Sequence, residues 1–152
     1  NLITAMTLSA TAEGLAIGKR YGLDPAAMVD VLDESTGGSW ISRTHIRQRV
    51  LNRSFDDPFK LALMLKDIGI ATTLARDVGA SAPMSGLGQQ LWQAASRAAG
   101  PQASVSELVR WVEQQSGTEI TRISAAMPAT RSAMIERSPV ARLTSEIRLS
   151  PR

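Results

Sequence analysis

The chain has 152 residues, no cysteine and one histidine, and its formal net charge is +3. This length allows one domain with a substantial core. The missing cysteines exclude disulfides and thiolate metal sites, and a single histidine excludes a multi-histidine metal site and argues against a Ser-His-Asp triad. Residues 1–120 carry 11 basic and 12 acidic side chains, whereas residues 121–152 carry six arginines and two glutamates. We therefore expect a nearly neutral body, a basic tail and no bound metal.

Residues 1–22 form the first predicted helix, since apolar side chains recur at helical spacing and Gly22 suits a left-handed cap. The helix is rich in small residues, which let a second helix approach closely, so we expect it to be central in a bundle. Asp24 and Pro25 then predict the start of a second helix, as an N-cap followed by a proline at the first helical position.

Two glycines end the second helix, and Ser39 is a candidate cap for a third helix over residues 40–51. Asp57 and Pro58 repeat the cap-and-proline pattern and predict the start of a fourth helix. This helix should stop at Gly79.

Pro83 predicts the start of a fifth helix, and Gly100 its end. Ser104 and Glu107 match a capping box, which predicts a sixth helix that ends at Gly117. No segment alternates polar and apolar residues as a half-buried strand does. The sequence therefore predicts an all-α bundle of about six helices.

The segment "GLGQQL" contains Gly86 and Gly88 but does not match a dinucleotide-binding fingerprint. The third glycine is missing at the required spacing, and no strand precedes the segment. We interpret both glycines as helix-packing positions.

His45 lies in a basic segment. Its neighbours are Arg43, Arg47, Arg49 and Arg53. We interpret the segment as a solvated helix face; a phosphate-binding or nucleic-acid-binding patch is the alternative. The chain has only six aromatic residues to stack on bases, which argues against nucleic acid as a partner.

Lys66 and Asp67 are two charges at the centre of an apolar helical run, "PFKLALMLKDIGIA". Counting from Phe59, Lys66 is at position i+7 and shares its helix face. A lysine beside an aromatic residue can bind an anion or a polar ligand edge. The alternative is a solvated lysine whose stem covers apolar surface.

Four motifs in register carry a family resemblance. They are "AEGLAIGKRYGLDP", "STGGSW", "FKLALMLKDIGIA" and "SAPM". Over residues 1–117 the chain resembles the C-terminal helical domain of the β-hydroxyacid dehydrogenases, the 3-hydroxyisobutyrate dehydrogenase family. The resemblance implies the fold of the 6-phosphogluconate dehydrogenase C-terminal domain. It also implies a substrate-binding and dimerisation domain over residues 1–120, followed by a basic tail over 121–152 that has no counterpart in the family.

The resemblance also implies roles for four residues. Asn1 matches a substrate-binding asparagine, Lys66 and Phe59 match contacts of the nicotinamide end of NAD or NADP, and Asp67 matches an acid that supports this lysine. The family's catalytic lysine would precede Asn1 by four residues. Its Rossmann domain would also precede this chain. We therefore expect an inactive fragment that forms a homodimer, binds no cofactor tightly and needs the Rossmann domain of a complete enzyme.

A different function remains open for the isolated chain. It could be a helical dimerisation or binding module whose basic tail, flexible or docked on a partner subunit, engages an acidic partner or nucleic acid. The sequence shows no membrane-spanning run and no signal peptide, so we expect a cytoplasmic protein without a membrane partner.

Overall fold

A computed structural model describes residues 1–123 of the chain, and Asn1–Arg122 form one compact unit. The prediction for the basic tail, apart from its first three residues, lies outside the described residues. The elements of the described part are α1 (Leu2–Tyr21), α2 (Pro25–Asp33), a π-helix (Ile41–Val50), α3 (Leu61–Asp77), α4 (Pro83–Ala99) and α5 (Glu107–Ser116). The predicted all-α bundle of about six helices is confirmed.

Helix α1 is the centre of the bundle, because it contacts α2, the π-helix, α3, α4 and α5. Its buried side chains are small or aliphatic, among them Ala5, Leu8, Ala12, Leu15 and Ala16. A Cβ atom at position 88 would lie 2.1 Å from Cε of Met6, so Gly88 leaves room on α4 for the end of this α1 side chain. Gly86 faces open space, so its interpretation as a packing position was wrong.

The predicted junction between α1 and α2 is confirmed. Gly22 adopts a left-handed conformation with φ of 99°, and its N–H bonds to carbonyls of the last turn of α1. The carboxylate of Asp24 accepts a hydrogen bond of 3.3 Å from the N–H of Ala27, and Pro25 begins α2.

The predicted start of the fourth helix at Asp57 and Pro58 was wrong, because α3 begins at Leu61. The carboxylate of Asp57 instead accepts a 2.8 Å hydrogen bond from the N–H of Phe59 and forms a local turn. Lys60, the residue before α3, is extended, and an isolated antiparallel bridge pairs it with Ser104.

The predicted capping box was also wrong. The N–H of Glu107 bonds to the backbone carbonyl of Ser104 at 3.0 Å, while the hydroxyl of Ser104 donates a 2.7 Å hydrogen bond to the carbonyl of Phe55. Helix α5 begins at Glu107 without a side-chain cap.

The third helix is π-helical, which the sequence pattern did not indicate. The hydroxyl of Ser39 accepts a 3.2 Å hydrogen bond from the N–H of Ser42, as expected of a cap. At the other end, the N–H of Leu51 reaches the carbonyl of Ile46, five residues earlier, at 2.9 Å. π-helical turns are rare and are often found at functional sites.

None of the helices in residues 1–123 combines the length and the hydrophobicity that crossing a bilayer requires.

Candidate functional site

The structure brings together three of the four predicted site residues. Asn1 precedes α1, while Lys66 and Asp67 lie in α3. The amide of Asn1 donates a 2.5 Å hydrogen bond to Oδ2 of Asp67, and Nζ of Lys66 lies 3.0 Å from Oδ1 of the same carboxylate. Asp67 therefore holds an amide and an ammonium group next to each other at the surface.

The electrostatics of this cluster keep Asp67 ionised. The hydrogen bond from Asn1, followed by that from Lys66, lowers the pKa of the Asp67 carboxyl below its ordinary value. The side chain of Lys66 remains 61% exposed, so its ammonium can still meet an external group. An exposed ammonium beside an amide suits a carbonyl-bearing or polar ligand, since the carboxylate of Asp67 already balances its charge.

Phe59 does not lie on the helix face of Lys66, where the sequence analysis had placed it. It lies before α3, so the spacing that put it on the helix face of Lys66 does not apply. Its ring is partly buried and packs against the hydrophobic core. Its carbonyl accepts a 2.8 Å hydrogen bond from the N–H of Val105. The cofactor contact of Phe59 stays a prediction.

The interpretation of the His45 segment as a solvated face was wrong for His45 itself, whose side chain is buried. Three of the neighbouring arginines form ion pairs within the domain. These pairs are Arg47 with Asp30 and Asp33, Arg49 with Asp56, and Arg53 with Glu113. Since acidic side chains already pair with them, these arginines do not form an unopposed cationic patch for phosphate.

His45 instead joins a polar cluster with Asp57 and Ser106, in which His45 and Ser106 are buried and Asp57 is partly buried. The hydroxyl of Ser106 lies 3.2 Å from Nε2 of the imidazole, and Oδ2 of Asp57 lies 3.4 Å from Nδ1. The three residue types are those of a hydrolytic triad, although the single histidine argued against one. Ser106 has no exposed surface, so its hydroxyl cannot reach a substrate.

A groove between α1 and α2 was not found from the sequence. Its volume is about 680 Å³. Leu15 and Gly14 contribute from α1, and Met28, Val31 and Leu32 contribute from α2. The apolar residues of α2 cover more than one helix face. This was the signal in the sequence that could have indicated an exposed apolar groove. None of the four predicted site residues lines this groove.

No group of three or more His, Cys, Asp or Glu side chains within residues 1–123 could hold a metal ion.

The curated relatives of the chain include 3-hydroxyisobutyrate dehydrogenases, an L-threonate dehydrogenase from Cupriavidus necator and a 2-hydroxy-3-oxopropionate reductase from Escherichia coli. A 3-hydroxyisobutyrate dehydrogenase from Pseudomonas aeruginosa is 33% identical over 98 residues, which are 60% of this chain and 33% of that protein. The chain spans about a third of the length of the curated relatives it matches.

Two solved structures share the fold. A 3-hydroxyisobutyrate dehydrogenase from Salmonella typhimurium has a TM-score of 0.66 at 22% identity, over 72% of this chain and 38% of that one. The enzyme of the same name from Mycobacterium tuberculosis, solved with L-serine, has a TM-score of 0.66 at 24% identity, over 74% and 40%.

The matching family is described as NAD-binding of NADP-dependent 3-hydroxyisobutyrate dehydrogenase, and the match covers residues 1–112. This is most of the all-α unit that contains Asn1, Lys66 and Asp67. The chain therefore belongs to this family, the helical C-terminal part of the 3-hydroxyisobutyrate dehydrogenase-like enzymes.

Proposed function

We propose that the chain is the helical part of an NAD(P)-dependent dehydrogenase that acts on a 3-hydroxy acid such as 3-hydroxyisobutyrate. The observation that carries the proposal is the double contact of Asp67 with Asn1 and Lys66. Residues 66 positions apart meet there, and they are the residues to which the family resemblance assigns substrate and cofactor contacts.

Each residue has a separate task in this proposal. The amide of Asn1 orients an oxygen of the hydroxy acid, and the ammonium of Lys66 faces the nicotinamide end of the cofactor. Asp67 positions both groups, and the ring of Phe59 lies near the same end of the cofactor. When bound, the nicotinamide supplies the group that accepts or donates the hydride.

The 152-residue chain is expected to be inactive alone. Hydride transfer needs a bound cofactor and a general acid or base, which supply positioning and proton transfer. In this proposal both come from the Rossmann domain of a complete enzyme and from the lysine that follows it. Detectable turnover of 3-hydroxyisobutyrate by the purified chain with NAD⁺ or NADP⁺ would contradict this expectation.

A cofactor titration tests the role of Lys66. We expect the purified chain to bind NADH or NADPH weakly, with a dissociation constant of roughly 1 mM or above, because one exposed cation supplies only part of a site. Lys66→Ala should weaken binding about three- to tenfold through the loss of a charged contact. Tryptophan fluorescence, corrected for absorption by the cofactor, measures the dissociation constant of the unmodified chain and that of the Lys66→Ala variant.

Lys60→Ala is the matched control, since the ammonium of Lys60 donates a 3.0 Å hydrogen bond to the carbonyl of Gln102 and lies outside the cluster. Binding in the micromolar range would contradict the expectation of weak binding. Equal losses in the Lys60 and Lys66 variants would contradict the assignment of Lys66 to the cofactor.

We propose further that the chain forms a homodimer. Apolar side chains project from α3 and α4 towards solvent, and exposed apolar surface of this kind is usually covered by a partner. They are Ile70, Leu74, Val78, Met84 and Leu87, each more than half exposed. We call this set the α3–α4 face.

Light scattering at micromolar concentration is expected to give twice the mass of the chain, and Leu74→Glu should shift the mass towards that of a monomer. Ile17→Glu is the control, because Ile17 is similarly exposed but lies on α1. A monomeric mass for the unmodified chain would refute the dimer. Dissociation by Ile17→Glu alone would assign the interface to another face.

A further inference from the structure

His45 is at a junction of three segments that are distant in sequence. The π-helix contributes His45, the loop before α3 contributes Asp57, and the start of α5 contributes Ser106. The imidazole is 3% exposed and Ser106 is fully buried. The proposed dehydrogenase function uses none of these residues.

The cluster fits a neutral imidazole. With a proton on Nδ1 facing Asp57, Nε2 can accept the hydrogen of the Ser106 hydroxyl at 3.2 Å. A second proton, on Nε2, would turn this nitrogen into a donor and force the hydroxyl to rotate away. Its hydrogen would then need another acceptor inside the core, where an unpaired polar group is costly.

Charge acts on His45 from two elements. Burial lowers the pKa of the imidazole below its ordinary value, the carboxylate of Asp57 in the loop opposes this shift, and Arg49 on the π-helix adds to it. Helix α5 contributes the uncharged hydroxyl of Ser106. The effect of burial prevails, so the neutral form is favoured in the folded protein.

The same junction ties the segment that leads into α3 to the segment that leads into α5. The N–H of Leu61, the first residue of α3, donates to the carbonyl of Ala103 at 3.0 Å, and the N–H of Val105 donates to the carbonyl of Phe59 at 2.8 Å. The hydroxyl of Ser104 adds a hydrogen bond to the carbonyl of Phe55. We call these three hydrogen bonds the α3–α5 seam.

We propose that the cluster of His45, Asp57 and Ser106 is a pH-sensitive latch, which holds the π-helix against the α3–α5 seam while the histidine is neutral and loosens this junction when the histidine gains a proton. The sign follows from linkage. Because the folded protein holds the proton less tightly than the unfolded chain does, stability is complete above pH about 6.5 and falls as the pH drops towards the folded-state value.

The single histidine makes the proposal directly measurable. In a proton–carbon NMR titration of the intact chain, the imidazole signal can come only from His45. We expect it to titrate at lower pH in the native protein than in the same protein unfolded in urea. A native value equal to or above the unfolded one would overturn the proposal.

Stability measurements provide the second test. Ordinary carboxyl groups titrate below pH about 4.5 and the terminal amine near 7.7, so His45 dominates any change between pH 5 and 7. The unfolding equilibrium constant should rise as the pH falls from 7 to 5. The rise is at most tenfold for each pH unit that separates the pKa of His45 in the native protein from its pKa in the unfolded protein. His45→Gln should lose this dependence, while Gln48→Ala, an exposed position of the same π-helix, should keep it.

Hydrogen exchange separates a latch from uniform destabilisation. After correction for intrinsic rates, the amides of Leu61 and Val105 should lose protection between pH 7 and pH 5 by a larger factor than the amide of Leu15 in α1. An equal loss of protection at all three amides would overturn the proposal of a latch. The NMR titration and the exchange need no variant, so a His45 variant that fails to fold would not obstruct the test.

Discussion

Trp92→Ala is expected to lower the free energy of unfolding by about 3–5 kcal/mol, the range for removing a fully buried aromatic side chain. Trp92 has no exposed surface, and it lies on α4 where this helix packs against α1. Its indole N–H donates a 3.0 Å hydrogen bond to the hydroxyl of Ser9. The substitution removes apolar contacts and this hydrogen bond and leaves a cavity in the core. Such a loss is a large share of the ~5–15 kcal/mol that stabilises a typical domain.

Urea denaturation followed by circular dichroism measures this effect. Trp40→Ala is the matched control, because Trp40 is 62% exposed and its removal should cost well under ~1 kcal/mol. Trp92→Phe keeps much of the apolar volume and should give an intermediate loss. Equal losses for Trp40→Ala and Trp92→Ala would show that α4 does not pack on α1 through this side chain.

Glu113→Ala is expected to cost about 3 kcal/mol, at the lower end of the range for breaking a buried ion pair. The carboxylate of Glu113 is 6% exposed and forms a two-fold contact with the guanidinium of Arg53, whose side chain is 31% exposed. It also accepts a 2.6 Å hydrogen bond from the buried N–H of Ile120. Removing the carboxylate would leave this N–H unpaired in the core. The partial exposure of Arg53 limits the loss, since water can solvate its charge.

Two further variants separate the contributions of Glu113. Glu113→Gln keeps an acceptor for the N–H of Ile120 but removes the charge, so it should cost less than Glu113→Ala. Glu119→Ala removes an exposed acid nearby and should change the free energy of unfolding by less than ~0.5 kcal/mol. If Glu113→Ala proved as harmless as Glu119→Ala, the pair with Arg53 would not stabilise the end of the domain.

The local signals in the sequence predicted most helix boundaries correctly. Gly22 ends α1 and Pro25 begins α2, while Pro83 and Gly100 enclose α4. These signals succeed because a glycine with positive φ or a proline at the first helical position acts through its own backbone. No distant partner is needed to give them this effect.

The boundaries that failed depended on side chains with distant partners. Asp57 lies near His45 and accepts the N–H of Phe59, so it does not cap a helix. The hydroxyl of Ser104 turns to the carbonyl of Phe55, 49 residues earlier, and the N–H of Glu107 bonds to the backbone carbonyl of Ser104 in place of a capping box. Short polar side chains fit caps, turns and tertiary contacts equally well, and only the packed structure decides among them.

The candidate site also divides into features that local spacing can predict and features that depend on distant partners. Spacing along one helix could pair Lys66 with Asp67, but no periodicity relates Asn1 to a residue 66 positions away. The family resemblance predicts that these residues belong to one site. The hydrogen bond from Asn1 to Asp67 shows that they lie together, and their roles stay a prediction. The spacing argument for Phe59 failed because it assumed that Phe59 lies within the helix, whereas α3 begins two residues after it, at Leu61.

The π-helix has a consequence for which changes of sequence this domain can accept. Its first turn is capped by Ser39, its middle contacts the rest of the domain through His45, and its last turn is closed by the bond from the N–H of Leu51 to the carbonyl of its own Ile46. An inserted or deleted residue between these points would rotate every later side chain around the axis and move His45 away from its partners. A substitution leaves this register intact. We therefore expect the number of residues between Ser39 and Leu51 to be constrained more tightly than the identity of its exposed residues.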